Sequence, residues 1–485
     1  MTSATRAGTA PVPAEQVGTG PAPTASQVLA EFVEGLTWEQ LPADVVSRAR
    51  YLLLDTVGVA LSNVPGSPSD LVRAVLDEMG GAPVSRVWGT SLTTSPPMAA
   101  LANGMATHLS DFDDTHAEAG LHASATVVPA VLAIADARRL DGRAVLTALV
   151  AGYEVACRLG AAAPHVFTLR RWHATPTCGA VASAAAVGRA IGLDADRLTA
   201  AMGIASSMAS GTLQALEEGS PVKAMHPGWA AHSGVWAALL AEQGLPGPVS
   251  ALDGHQGFFA AFIGRGAWSP DRLTQGLGTE WETTKVISKP YPCCHFLHAL
   301  VDAAAAFRVD HTPEDIAEVV CTVPGQAEHV VCEPWAEKSS PASAYAARFS
   351  LPYVVATALT SGDLTEDDFT ESALAAVAGG ELIAKVGYSL DQDPRLAETY
   401  GAELVVRCTD GREWRRRVVH PTGSAATPLT ESDLQLKFQR CARRALTDEQ
   451  VAVLQDQVLH LETVACAADL AVAGVNQTIL QRSSA

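Results

Sequence analysis

The sequence predicts a mainly α-helical protein with an inserted α+β domain. Three observations carry that expectation. Small apolar residues dominate segments such as "ASAAAVGRAIG", and small side chains let helices approach closely. Apolar residues recur at helical spacing from Ser26 to about Ser288, and again after residue 424. Between these regions lies a stretch with period-two alternation and a turn signal, which reads as strands. At 485 residues, 48% of them apolar and 18% charged, the chain is long enough for several domains around a large core.

Taken in order, residues 1–25 are rich in Thr, Ala, Pro and Gly without an apolar run, and read as a disordered tail. "SQVLAEFVEGL" opens a helix with Ser26 as the cap candidate, and "PADVVSRARYLLLDTVGVALS" follows with Pro42 near its first turn. Further helices are expected over 68–79, 97–109, 127–138, 141–159, 176–191, 194–209 and 228–243, several opening on Asp or Ser and stopping at Gly. From 287 to 423 the character is mixed. "DIAEVVCTVPG" alternates like a strand, "ARFSLPYVVATALTSG" and "ESALAAVAGGELIAKVG" look helical, and "AELVVRCTDGREWRRRVVH" reads as a hairpin turning at Asp410 and Gly411. Residues 424–485 return to helix. The simplest arrangement folds these last helices back onto residues 26–286. Residues 287–423 are then an insertion, and the cleft between the two parts is a natural place for a small ligand.

The net charge of −19 argues against nucleic acid and against an anionic membrane surface as partners. It leaves room for an anionic small molecule, because a pocket is governed by local charges. Nine cysteines form no framework spacing, and Cys293 adjoins Cys294, so a reducing cytoplasm is the expected location. No uninterrupted apolar run of about 18 residues appears, so no membrane span is expected.

Chemistry concentrates in four stretches where polar residues interrupt apolar or glycine-rich sequence. The first, "LSDFDDTHAEAGLH", holds Asp111, Asp113, Asp114, Thr115, His116, Glu118 and His122. The second, "RRWHATPTCGA", places His173 just before a helix start. The third, "EEGSPVKAMHPGWAAHSG", carries Lys223 and His226 between glycines and a helix start. The fourth, "SKPYPCCHFLH", sets Lys289, His295 and His298 at the junction near residue 287. Taken singly, each has a plain reading: a histidine before a helix is a cap, a lone lysine faces water, an aspartate run ends a helix. Cys293 and Cys294 lack an acid partner pattern and read as small apolar residues rather than nucleophiles. Asp111, Asp114 and His122 offer oxygen and nitrogen donors to a metal. The spacing matches neither HExxH nor an EF-hand loop, so no metal is expected.

Together the stretches "NGMATHLSDFDDTHAEAGLHASATVVPAVLAIAD", "WHATPTCGA", "GSPVKAMHPGWAAHSG", "KPYPCCHFLHALVDA" and "FSLPYVVATALTSGDLT" resemble the MmgE/PrpD family, in the right order from about Ser26 to about Leu470. That family includes 2-methylcitrate dehydratase, cis-aconitate decarboxylase and iminodisuccinate epimerase. The resemblance implies an all-helical domain built from both ends of the chain, an α+β lid domain, a homodimer, and no organic cofactor. It implies an active site between the domains. His122, His173, Lys223, Lys289 and His295 are carried over as catalytic candidates, and Asp111 and Thr115 as substrate-binding ones. His226 and Tyr353 sit in matching motifs and join the substrate-binding set without an assigned role, while Asp113, His116 and Glu118 are expected to be scaffold. Two features depart from the 2-methylcitrate dehydratases, which tend to carry Asn-Asp-Thr-Tyr and "HPSD" where this chain has "DDTH" and "HASA". The spacing of "HAEAGLH" instead resembles the fungal cis-aconitate decarboxylase pattern.

The chemistry implied is proton transfer beside a carboxylate of a small di- or tricarboxylate. His122 and His173 would be the acid and base. Lys223 and Lys289 would clamp carboxylates, and His295 would support them or donate a proton. Asp111 would orient a histidine or hold a lysine protonated. An epimerase of an iminodisuccinate-type dicarboxylate, and a carboxylate-binding protein without turnover, are the two alternatives.

Overall fold

Helix formation begins where a cap is available. Thr24, rather than Ser26, caps the first helix, Ala25–Gly35. Its hydroxyl accepts from the Gln27 backbone while the Gln27 side chain accepts from the Thr24 backbone, a reciprocal capping box. The computed structural model describes residues 22–64, 68–378 and 380–472. Residues 1–21 of the expected tail therefore lie outside the described residues.

The protein is mostly helical, with a small mixed sheet in its C-terminal region. Helices Ala43–Ser62, Pro96–His108, Ser124–Arg138, Gly142–Ala161, Ala174–Ala190 and Val222–Glu242 pack against one another to form the main body. The Gly142–Ala161 helix has the length and apolar composition of a membrane-crossing segment, but 94% of that window is buried inside the fold. A close helix approach joins Pro96–His108 to Val222–Glu242, where a Cβ added to Gly104 would stand 2.6 Å from the Gly228 Cα. Glycine at both positions lets the two backbones touch. That contact fixes the spacing between His108 on one helix and Lys223 on the other.

The helix expected to open at 228 starts earlier, at Val222, with Pro227 inside it. Proline lacks the N–H that would bond four residues back. Near the N-terminus this costs a single bond, to the Lys223 carbonyl, and packing of the following turns carries the helix through. Lys223 and His226 thus stand on the first turns of a helix rather than in a loop before it.

The sheet has four strands in the order Val386–Asp391, Ile316–Pro324, Ala402–Cys408, Glu413–Val418. The first pair is parallel and the other two pairs are antiparallel. The hairpin turns at Asp410 and Gly411, where Gly411 takes the left-handed φ of +85° that glycine tolerates. Strand Val386–Asp391 has no counterpart in the sequence reading. It is an edge strand with a single buried residue, so it lacks the alternation that marks a half-buried strand.

Two large hydrophobic cores result, beside two small clusters. The larger draws on residues between 29 and 286 and again between 434 and 472. The smaller draws on residues 293–408, joined by Met105, Leu109, Leu216 and Ala224 from the helical body. Thr115 and His116 pair antiparallel with Ile287 and Val286. This short bridge ties the aspartate-rich loop to the segment leading into Lys289.

Candidate active site

The helix Pro96–His108 ends in a turn at Asp111, whose φ of +50° is left-handed. Aspartate tolerates this region better than most residues, and such strain collects at functional sites. The turn aims the Asp111 carboxylate at two lysines. Oδ1 accepts from Lys223 Nζ at 2.8 Å, and Oδ2 accepts from Lys289 Nζ at 2.7 Å. Burial alone would raise the Asp111 carboxyl, but the two ammonium groups hold it well below the usual carboxylate range.

The two lysines are not equivalent. Lys289 Nζ donates to Asp111 Oδ2, to the Asp111 carbonyl at 2.7 Å and to the Cys293 carbonyl at 3.4 Å, so all three protons are engaged. Lys223 Nζ donates to Asp111 and to His108 Nε2 at 3.0 Å and lies 4.8 Å from the centre of the Phe349 ring. Its third proton has no partner among the described residues, and its side chain lines a cavity.

That cavity has a volume of about 150 Å³ and is bounded by both parts of the molecule. Asp111, Thr115, His122, His173, Lys223, Lys289 and His295 all line it, so seven of the sequence-derived candidates meet in one place. Phe349 and Tyr400 close it from the side of the smaller core. His226 stands behind His173, their Nδ1 atoms 3.3 Å apart. Tyr353 is not brought to the cavity. Its ring is buried in the smaller core, and its hydroxyl donates to the Asp368 carbonyl at 2.5 Å. Its motif position thus reflects packing.

Hydrogen bonds fix how the imidazoles are protonated. His122 Nδ1 lies 2.6 Å from the Asp114 carbonyl, which can only accept, so Nδ1 carries the proton and Nε2 keeps its lone pair. Burial pushes the His122 ring down to about 3, despite the Asp113 carboxylate 3.7 Å away. Burial likewise holds His173 and His295 well below their ordinary values, and His226 at about 4. His295 stacks on Tyr400 at 4.5 Å, and its buried Nδ1 has no partner among the described residues. The histidines are therefore neutral, and the positive charge at the cavity comes from lysine.

His108 escaped the sequence reading. It ends a helix with ordinary apolar periodicity, and its only signal is its place three residues before Asp111. Asp113, expected as scaffold, bonds His108 Nδ1 at 2.8 Å. His116 and Glu118 do serve the scaffold, paired with Glu282 at 3.0 Å and Arg272 at 2.7 Å. Asp114 binds Ser124 at the start of the next helix, and burial pushes its carboxyl up to about 7. Ligand atoms of His108, Asp113 and His122 lie within 4.8 Å of one another. A divalent ion there would have to take the proton His108 shares with Asp113 and stand beside two ammonium groups. The arrangement fits a hydrogen-bond relay better than a metal centre.

This geometry can be set beside known proteins. The N-terminal domain profile of the MmgE/PrpD family matches residues 27–271, and its C-terminal domain profile matches residues 291–463. The chain belongs to the MmgE/PrpD family. It is similar to the cis-aconitate decarboxylase-like protein oryM of Aspergillus oryzae, 29% identical over 91% of this chain and 95% of that protein. Similar too are the cis-aconitate decarboxylases of Aspergillus terreus, at 28% identity, and of Homo sapiens, at 29%, each match covering 90% of this chain and 92% of the relative.

Proposed function

We propose that this chain is a lyase that decarboxylates a small polycarboxylate of the cis-aconitate type, working as a homodimer without an organic cofactor. The observation that carries the reading is a free Nε2 on the neutral His122, facing the same small cavity as the open ammonium proton of Lys223. The relatives named above supply the reaction class.

In this mechanism Lys223 binds a carboxylate of the substrate, while Asp111 and Lys289 hold Lys223 in place. A second carboxylate loses its C–C bond and leaves as CO₂. The bonding pair stays on the adjacent carbon, as an allylic carbanion shared with the remaining carboxylate, and the Lys223 ammonium offsets the developing charge. A proton delivered from His122 to that carbon completes the product. The bound polyanion sets negative charge against the His122 ring, which favours the imidazolium that burial disfavours in the free site. His122 regains its proton from the medium, and His173, its ring 6.5 Å from that of His122, lines the same cavity beside it.

Two imidazoles beside one cavity also suit an epimerase, which needs a base on each face of one carbon. Citrate, 2-methylcitrate, cis-aconitate and iminodisuccinate, each followed by NMR in H₂O and in D₂O with EDTA present, separate the readings. Release of CO₂ from cis-aconitate with one solvent deuteron in the product is the expected result. Exchange at an α-carbon with no leaving group transfers the assignment to the epimerase, and loss of water from 2-methylcitrate transfers it to a dehydratase. Binding without turnover across the panel removes the enzymatic reading.

A further inference from the structure

His108 is fully buried and does not line the cavity, yet it contacts a group that does. An ammonium can only donate, so His108 Nε2 accepts from Lys223 and His108 Nδ1 must donate to Asp113 Oδ2. Asp113 itself is fully buried, and its other oxygen, Oδ1, has no partner among the described residues. A buried carboxylate with one unpaired oxygen is costly, and a neutral or apolar pair would fill the same space at lower cost. A purely architectural role leaves that expense unexplained.

We propose that His108 and Asp113 form a positioning dyad that keeps the Lys223 ammonium aimed into the cavity. The proposal rests on reading the cavity as a polycarboxylate lyase site. Asp113 fixes the tautomer of His108, and that tautomer presents a lone pair to Lys223. The opposite tautomer would face an N–H against the ammonium and push it away. Lys223 also faces Asp111, the rings of His173, His226 and Phe349, and the Cys294 thiol, with Lys289 across the shared carboxylate. Of these neighbours only Asp111 and Asp113 bring negative charge, Asp111 directly and Asp113 through His108. Asp113 also lies 3.7 Å from His122 Nδ1, so one carboxylate serves both the lysine and the proton-handling ring.

The test uses the full chain with cis-aconitate as probe substrate. Asp113→Asn offers His108 either a donor or an acceptor, so both tautomers become accessible. Turnover should fall about 10²–10⁴-fold, as when a catalytic histidine loses the carboxylate that orients it. KM should move less than about threefold. His108→Gln keeps one acceptor and one donor and should retain clearly more activity than His108→Leu. A KM that rises as much as kcat falls in Asp113→Asn, or equal losses in His108→Gln and His108→Leu, overturns the proposal. Should Asp113→Asn not fold, the two His108 variants decide alone. Long-range ¹H–¹⁵N spectra of histidine-labelled protein read the tautomer without substrate, the His108 signals being those lost in His108→Gln. An Nδ1–H form in the wild type supports the dyad even if cis-aconitate is not turned over. An Nε2–H form refutes it even if cis-aconitate is.

Discussion

Two buried charge clusters involve the aspartate-rich loop, and they differ in what their unpaired groups face. Arg158 Nε, without a partner among the described residues, lines none of the described cavities, whereas the open groups around Asp111 stand beside one. Around Glu154, one oxygen accepts from the Thr283 backbone and hydroxyl, and the other accepts from the Glu282 backbone and from Arg158. Glu282 in turn accepts from Arg272 and Lys285 and bonds His116. No cavity among those described is lined by these residues. Around Asp111 the same currency of buried carboxylates and cations leaves an open ammonium proton, a free imidazole lone pair and a strained backbone, all beside a cavity. Burial of charge is common to both. Residual valence beside empty space is what separates a reactive site from a structural one.

The sharpest way to break that comparison is at the reactive cluster. Replacing His122 by Asn, or Lys223 by Met, should lower turnover by about 10²–10⁴-fold, with a melting temperature close to wild type. Near-full activity in both variants would erase the distinction. At the enclosed cluster, Glu154→Ala strands the buried Arg158 and should cost about 3–5 kcal/mol in denaturant unfolding, with turnover per folded molecule unchanged. Activity lost out of proportion to folded protein would make that cluster functional after all.

Acid sharpens the contrast further. His122 and His298 are held at about 3 and His226 at about 4, against an ordinary value of 6.5. Below pH 6.5 the unfolded chain takes up protons that these folded rings refuse, so stability falls as pH falls toward 4, by up to about 1.4 kcal/mol per pH unit for each ring. Asp114, raised to about 7, binds its proton more tightly when folded and opposes the trend. It is one group against three, so the melting temperature should drop between pH 6.5 and 5, and a rise would contradict the neutral-histidine picture. The smallest effect belongs to the outer edge of the scaffold. Glu118→Ala removes a half-exposed ion pair with Arg272 and should change stability by less than about 1 kcal/mol.

The legible part of the molecule was that in which local pattern and global role coincide. Helices such as Ser124–Arg138 and the hairpin at Gly411 announce themselves by periodicity and turn chemistry. Asp111, His122, His173, Lys223, Lys289 and His295 stand out because polar groups interrupt small, apolar sequence. His108 did not, because a histidine completing an apolar helix looks like any other helix end, and only the third dimension sets it against Lys223. Tyr353 misled for the opposite reason. A motif tyrosine can be retained for packing, and here its hydroxyl is consumed by the Asp368 carbonyl. The start of the Val222–Glu242 helix was obscured by Pro227, whose local preference was overridden by tertiary contact.

The pairing of two lysines with one aspartate has a consequence for the thermodynamics of binding. With its histidines neutral, the resting site carries the ammoniums of Lys223 and Lys289 against the carboxylates of Asp111 and Asp113, and these sum to zero. A trianion entering so balanced an enclosure cannot bring its charge in uncompensated. Association is then coupled to net uptake of protons from the medium. Calorimetric heats of association should vary with the ionisation enthalpy of the buffer, and affinity should weaken about tenfold per pH unit for each proton acquired.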